Sequence, residues 1–285
     1  MIEVLERHRI PPDQLTVEEG CWTNFLGIKT RADLYPAAFP HSGKALPGLP
    51  IPGDGVFAGA AEYAAVLQAV ESAPDHSRLV VVELGAAHGP WITTAGVVGK
   101  RLGFGRIELV GVEASARKVE LMKEHLARNG VTAKAIYGAA WWRDTVLQFP
   151  ADVSQDDYGA AVLPEASLHD YRGRAYAMKR VPAYSVSTIC ADLGVIDYMH
   201  WDLQGAEGDV AVHSRDFLNE RVRHVFIGTH SRSIEGILAE MFFRMGWELL
   251  LEQPCQFRFD PSVPTLEGMV AVDGEQFWRN PGLRA

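Results

Sequence analysis

Residues 79–91 read LVVVELGAAHGPW. Val80, Val81 and Val82 run into Glu83, and Gly85 and Gly89 then bracket a loop that is nearly bare of side chains. A short apolar run bounded by turn residues is the pattern of a fully buried strand. Pro90 then stands where a helix would begin, a position at which its missing N–H costs nothing because that donor has no partner inside a helix. A buried strand leading through a glycine loop into a helix is the first half of a βαβ unit, and it predicts a parallel sheet covered on both faces.

The same alternation continues on both sides. Before the strand, AEYAAVLQAVESA (61–73) places Tyr63, Val66, Leu67 and Val70 on one helical face. After it come a helix from Pro90 to about Leu102, the strand RIELVGVE (106–113), and a helix capped by Ser115 with Val119, Met122 and Leu126 inward. TAKAIYG (132–138) reads as a third strand, IDYMHWDL (196–203) as a fourth and VRHVFIGTH (222–230) as a fifth, with a helix in QGAEGDVAVHS (204–214) between the last two. Ser187 is expected to cap a short helix ending near Gly194, and SIEGILAEMFFRMG (233–246) is an amphipathic helix with Met241, Phe242 and Phe243 in its core. WELLLE (247–252) and GMVAV (268–272) follow with no helix between them, which predicts an antiparallel finish. The expected fold class is therefore α/β, a doubly wound, mostly parallel, Rossmann-like sheet.

Residues 1–60 form a segment of their own, and 61–285 the main domain with an irregular insertion at about 150–180, where no period is visible. The stretch YPAAFPHSGKALPGLPIPGDGVF (35–57) is too rich in Pro and Gly for helix interiors or central strands. Trp22, Phe25, Leu26, Tyr35, Phe39 and Phe57 lie in or beside it, and aromatic content of that kind suits an ordered cap packed on a core rather than a linker.

Composition narrows the partners. The 285 residues carry 27 Lys and Arg against 36 Asp and Glu, a net charge of −9, with no basic stripe, so a nucleic-acid partner is not expected. Cys21, Cys190 and Cys255 are few and far apart, which suits a reducing compartment, and neither a signal peptide nor an apolar run of membrane-spanning length is visible. A cytoplasmic protein acting on a small molecule, with no membrane partner, is the expectation; an oligomer is compatible with it.

In an open α/β sheet ligands bind beyond the carboxyl ends of the strands, so the residues there carry the chemistry. The loop after the first strand lacks the G-x-G-x-x-G spacing that seats a pyrophosphate, and Glu83 at its mouth would repel one but suits a cationic amino-acid group. Glu113 ends the second strand, where a carboxylate can accept both hydrogen bonds of a ribose diol. A ligand with both an ammonium and a ribose is S-adenosylmethionine. Beyond the fourth strand stand Asp202, Gln204 and Glu207. Asp202 at that strand end is placed to orient an acceptor or to take its proton. Glu207 reads equally as functional or as a carboxylate favouring the helix dipole. His230 ends the fifth strand and reads equally as a base near neutral pH or as a core histidine. His88 is expected to shape the cofactor pocket and His200 to be structural.

The stretches VVELGAAHGPW (81–91) and LVGVEASARKVELMKEHLARN (109–129) resemble the first two motifs of class I S-adenosylmethionine-dependent methyltransferases. HWDLQGAEGDV (200–210) resembles the Asp-x-(Gln/Glu)-Gly-x-Glu motif of the FkbM-type family, and TNFLGIKTRADLYP (23–36) a preamble found in some of its members. His200 and Trp201 depart from the Lys or Ile that many members have before the motif aspartate. The resemblance covers about residues 79–272 at the level of fold. It implies O-methylation of a hydroxyl on a sugar or a polyketide-derived secondary metabolite, with S-adenosylhomocysteine as the product. It also implies that Glu83, Gly85, Ala86, His88 and Gly89 line the methionine end, that Glu113 and Ala114 hold the ribose, and that Ala139, Ala140 and Trp141 lie near adenine. Asp202 then faces the donor, and Asp202 and His230 form the expected catalytic pair. A divalent metal on Asp202, Glu207 and His230 is a minority expectation, since one imidazole among carboxylates suits Mg²⁺ poorly and Zn²⁺ only moderately. Of Trp141 and Trp142 at most one can stack on a ring, and Lys29 and Arg31 are either solvated or closed over a substrate carboxylate. Two rival readings remain: an NAD-dependent oxidoreductase on a similar sheet, and a non-catalytic module that keeps the nucleoside pocket.

Overall fold

A computed structural model describes residues 1–151, 153–154, 157–163 and 169–283. Helix α1 (Ile2–His8) opens the chain, followed by β1 (Cys21–Thr23), β2 (Lys29–Arg31) and β3 (Lys44–Ala45), which form a small sheet in the order β2-β1-β3. Then come α2 (Ala60–Glu71), β4 (Arg78–Leu84), α3 (Pro90–Arg101), β5 (Arg106–Glu113), α4 (Ala116–Arg128) and β6 (Lys134–Tyr137). A second small sheet is built from β7 (Ala139–Ala140), β8 (Thr145–Pro150) and β9 (Met178–Tyr184), in the order β7-β9-β8. The chain continues through α5 (Val186–Ile189), β10 (Tyr198–Trp201), α6 (Glu207–His213), α7 (Arg215–Arg221), β11 (His224–Thr229) and α8 (Arg232–Arg244). It closes with β12 (Glu248–Gln253), β13 (Gln256–Phe257), β14 (Val270–Val272) and β15 (Gly274–Arg279).

The main sheet has seven strands in the order β12-β15-β11-β10-β4-β5-β6. Strands β6, β5, β4, β10 and β11 are parallel, and β15 runs antiparallel to both β11 and β12. The expected doubly wound, mostly parallel sheet with an antiparallel finish is present. Its two faces follow from the two-residue period of a strand. On one face Leu79, Val81, Tyr198, Phe226 and Phe277 join one apolar cluster with residues of α2, α3 and α4. On the other, Val80, Val82, Met199, Trp201, Val225 and Trp278 join a second cluster with residues of α6 and α8.

Four readings are corrected. The strand that completes the sheet is β15, whereas the predicted GMVAV segment forms β14, paired only with β13 in a separate ribbon. GMVAV carries the stronger apolar signal, whereas β15, with Glu275, Gln276 and Arg279 among its six residues, is marked as the closing strand by its pairing with β11 and β12. Ser185, not Ser187, caps α5, with its hydroxyl accepting the Thr188 amide at 3.2 Å. Phe243 is 79 % exposed rather than core, because α8 turns Met241 and Phe242 inward and leaves their neighbour on the solvent side. Lys29 pairs with Glu18, and Arg31 with Asp33 and Glu124, which holds both cations in surface ion pairs.

The amino-terminal segment is ordered by its own polar contacts. Asp54 Oδ1 accepts the amides of Val56, Phe57 and Ala58, and Asp54 Oδ2 accepts the Tyr63 hydroxyl at 2.9 Å. This tight turn ties the segment to α2. It also presents Phe57, which stacks on Tyr35 at 5.1 Å; Tyr35 in turn stacks on Tyr158 from the insertion at 4.7 Å.

Candidate active site

The chain leaves β4 toward β5 on one side and returns to β10 on the other, so the crevice lies between the carboxyl ends of β4 and β10, where the winding reverses. Two loops meet there. Gly85 has φ +75°, and a Cβ at this position would lie 1.9 Å from the Asp202 carbonyl oxygen, so only glycine permits the approach. Among the described residues the non-glycine positions with positive φ are Ala87 (46°) and Gln204 (52°), one on each of these loops. Each such conformation costs about 1–3 kcal/mol and persists only where surrounding contacts enforce it.

Two strand-end acids hold the first of these loops and the helix that follows it. Glu83 is 1 % exposed, and its Oε2 accepts the amides of Trp91 and Ile92 at 3.2 and 2.9 Å, capping the start of α3. Burial holds its carboxyl well above the ordinary range, against the pull of those two amides. Glu113 is 8 % exposed; its Oε2 accepts the Ala87 amide at 2.9 Å and its Oε1 the Ser115 amide at 2.7 Å. One oxygen of Glu113 therefore fixes the strained Ala87, and the other fixes the turn into α4. Each carboxylate oxygen has a second lone pair, so both remain able to accept from a ligand. The two acids stand on adjacent strands, Glu113 holding the loop at Ala87 and Glu83 the first turn of α3 directly after it.

Two connected hollows open from this point. Gly85, Ala87, Asp202, Gln204 and Tyr158 line both. The narrower one runs past Glu113, Ala114, Ala139 and Ala140 and is walled by Phe149, Ala161 and Val162. The wider one, of about 570 Å³, holds Glu83, Ala86 and His88 on one side and His200 and His230 on the other. Gly89 lines neither; at φ +71° it is the residue from which α3 starts. Trp141 also stays out of the narrow cleft, packing between two apolar clusters, while Trp142 lies against His213 at 4.8 Å. Sequence reasoning missed Tyr158 and Lys118 in the narrow cleft. Lys118 Nζ donates to the Asp157 carbonyl at 2.6 Å and lies 4.2 Å from the centre of the Tyr158 ring. Tyr158 sits in the aperiodic insertion, where no pattern marked it.

Asp202 faces both hollows. Gln204 Nε2 donates to its Oδ1 at 2.5 Å, and His230 Nε2 lies 3.4 Å from the same oxygen. His230 Nδ1 donates to Glu207 Oε1 at 2.8 Å, and Glu207 is fully buried. Glu207 also accepts the amides of Leu203 and Gly205, so it shapes the loop that carries Asp202 and orients the imidazole beside it. Burial opposes charge on both members of the pair, yet each stabilises the other. Against its own burial, the Glu207 carboxylate, helped by Asp202, raises His230 to about 10. Glu207 itself is lowered despite burial, chiefly by the imidazolium. Partial burial and the neighbouring acids Asp273 and Glu207 push Asp202 up to about 6, with His230 holding it down.

A raised His230 disfavours the neutral imidazole that a base at neutral pH requires, and Glu207, bonded to Nδ1, orients the ring beside Asp202. Asp202, Glu207 and His230 bring ligand atoms within 4.8 Å of one another, but Glu207 Oε1 and His230 Nδ1 are already joined to each other.

No family model matches the chain. A protein of Jannaschia sp. (strain CCS1) named "Putative methyltransferase" is 32 % identical over 274 residues, covering 94 % of this chain and 95 % of its own. The chain belongs to this methyltransferase family. Similarity to solved structures is weaker. The C-terminal domain of precorrin-6Y C5,15-methyltransferase from Rhodobacter capsulatus shares 13 % identity, covering 79 % of this chain and 90 % of that one at a TM-score of 0.40. Methyltransferase FkbM from Methylobacillus flagellatus KT shares 12 %, covering 76 % and 54 % at a TM-score of 0.42. In the present methyltransferase, strand order and side-chain geometry therefore define the site. No helix among the described residues is long and apolar enough to cross a membrane.

Proposed function

We propose that this methyltransferase is an FkbM-type enzyme that uses S-adenosylmethionine and methylates a hydroxyl of a sugar or polyketide-type secondary metabolite. The observation that carries the reading is that Glu113 holds the strained Ala87 loop and Glu83 the helix start directly after it, with that loop packed against the Asp202 carbonyl across the crevice. The narrow cleft suits an adenosine: its lining is mostly small, with Ala114, Ala139, Ala140, Ala160 and Ala161 leaving a slot for a flat base, and Glu113 stands at its entrance for the ribose diol. Glu83 and the wider cavity suit the amino-acid end and the acceptor.

When bound, S-adenosylmethionine supplies an electrophilic methyl group. The chain's own residues do the rest. Asp202, poised near neutrality, accepts the proton of the acceptor hydroxyl as that oxygen attacks. His230 keeps the receiving oxygen oriented, and Glu207 keeps His230 charged. Tyr35, Phe57 and Tyr158 wall the cavity against water.

Thermal-shift measurements with S-adenosylhomocysteine and with NAD test the donor, since a ligand of the folded state raises its melting temperature. A shift with S-adenosylhomocysteine and none with NAD is expected; a shift with NAD alone refutes the reading. Mass-spectrometric detection of a transferred methyl group across sugars and polyketide alcohols tests the acceptor. Methylation confined to carbon or nitrogen would refute hydroxyl transfer while leaving the donor in place.

A further inference from the structure

The wide cavity holds more acid than methyl transfer to a neutral alcohol requires. Glu62, Glu83, Asp202, Asp273 and Glu275 all line it, and among the described residues of its lining there is no Lys or Arg. His230 is a cation there, but it is engaged by Glu207 and Asp202. Glu83 is bound to the start of α3. Asp273 lies 3.9 Å from His230 Nε2, which leaves Glu62 and Glu275.

These two come from distant parts of the chain, α2 and β15, yet meet at one spot. A Cβ placed on Gly59 would lie 3.3 Å from Glu275 Oε1 and 4.0 Å from Glu62 Oε2. Glu62 uses Oε2 to accept the Gly59 amide at 2.9 Å, which leaves Oε1 toward His200, 3.7 Å from its Nε2. His200 is the independent sign of a ligand. It is 4 % exposed, lines the same cavity, and neither ring nitrogen has a hydrogen-bond partner among the described residues. Buried polar nitrogens are ordinarily satisfied, so two on one ring mark a place where a partner enters. The ring is fixed between Phe226, stacked at 5.2 Å, and Trp91 at 5.4 Å. Those faces, with Phe57 and Tyr35 beyond, would also attract a cation through their π-systems.

We propose that the methyl acceptor carries an ammonium group besides its hydroxyl, and that Glu62, Glu275 and His200 hold that ammonium at the α2 side of the cavity. The class is an amino alcohol or aminosugar. This rests on the methyl-transfer reading above and narrows its acceptor. Burial raises Glu62 to about 8, with Asp54 and Asp273 adding to the rise against the pull of the Gly59 amide, and raises Glu275 to about 7, with Glu62 and Asp273 adding; burial lowers His200 to about 3. A positive charge entering between the acids would let both ionise, and the neutral imidazole would accept one N–H.

Calorimetry on the full chain loaded with S-adenosylhomocysteine tests this with glucosamine and 2-aminocyclohexanol, each against its N-acetyl counterpart. The amines are expected to bind at least tenfold more tightly than the neutral partners. Glu62→Gln and Glu275→Gln should each abolish that preference, leave S-adenosylhomocysteine affinity within twofold, and melt no lower than wild type without ligand, because each removes a carboxyl whose ionisation burial opposes. Equal binding of amine and amide, or binding of neither, overturns the proposal alone. So does a loss of S-adenosylhomocysteine affinity in the Gln variants, which would assign the acids to the donor's own ammonium, or a lowered melting temperature, which would make them structural. A wild type that does not bind S-adenosylhomocysteine overturns the donor reading and this proposal together.

Discussion

Replacing Glu207 by Gln keeps the shape of the side chain and removes the charge that holds His230 protonated. In the wild type the pair is buried, with Nδ1 to Oε1 at 2.8 Å and side-chain exposures of 5 % and 0 %. Unfolded, His230 titrates near 6.5 and Glu207 near 4.5; folded, His230 is raised to about 10 and Glu207 is lowered. The sign follows from linkage. A raised histidine contributes stability that is complete below its unfolded pKa and is lost as pH rises through the folded one. A lowered carboxylate contributes stability that is complete above its unfolded pKa and is lost as pH falls through the folded one. The pair is thus most stabilising between about pH 4.5 and 6.5, and weakens from there toward pH 10. Up to about 1.4 kcal/mol is lost per pH unit in that upper window, and in total an amount of the order of the 3–5 kcal/mol that breaking a buried pair costs. Urea unfolding at pH 6, 8 and 9.5 reads it directly. Wild-type stability should fall across this series, whereas Glu207→Gln should begin lower by a few kcal/mol and stay nearly flat. Parallel pH dependences in the two proteins would refute the charged pair, and with it the assignment of proton acceptance to Asp202.

Three further outcomes are expected. Asp202→Asn should lower kcat by about 10²–10⁴-fold, with S-adenosylhomocysteine affinity retained, and should abolish the rise of wild-type activity with pH through about 6, measured as a pH–rate profile. Gly85→Ala must leave a left-handed backbone and clear the Asp202 carbonyl, so it should lose more than about 1 kcal/mol of stability and most of the donor affinity, seen by denaturant unfolding and calorimetry. Glu113→Gln keeps one acceptor oxygen but loses charge-assisted bonding to the ribose and to two backbone amides; S-adenosylhomocysteine should bind about 10–100-fold more weakly by calorimetry.

Much of the architecture was legible in the chain because it depends on local pattern. The valine run of β4, the Gly85 loop and Pro90 are neighbours in sequence, and burial with backbone sterics restricts what they can form. Glu83, Glu113 and Asp202 could be placed at strand ends by the same logic, since strand direction in a parallel sheet delivers every carboxyl end to one edge. The insertion was opaque for the opposite reason. Tyr158 lies on no regular element, and its contacts with Tyr35 and Lys118, distant in sequence, show where it belongs. The closing strand was misread because GMVAV is apolar throughout while GEQFWR interleaves Phe277 and Trp278 with polar residues, and only the pairing beside β11 selects the second.

By itself the sequence determined a parallel α/β sheet with acids at its carboxyl edge, since periodicity and turn chemistry act over a few residues at a time. Tertiary structure alone decided how those acids behave. Glu207 lies 23 residues from His230, and their buried contact favours the charged imidazole over the neutral one. Glu62 and Glu275 meet only because β15 closes the sheet beside α2. Protonation depends on burial and on the nearest charge, and both are properties of the folded volume rather than of the order of residues along the chain.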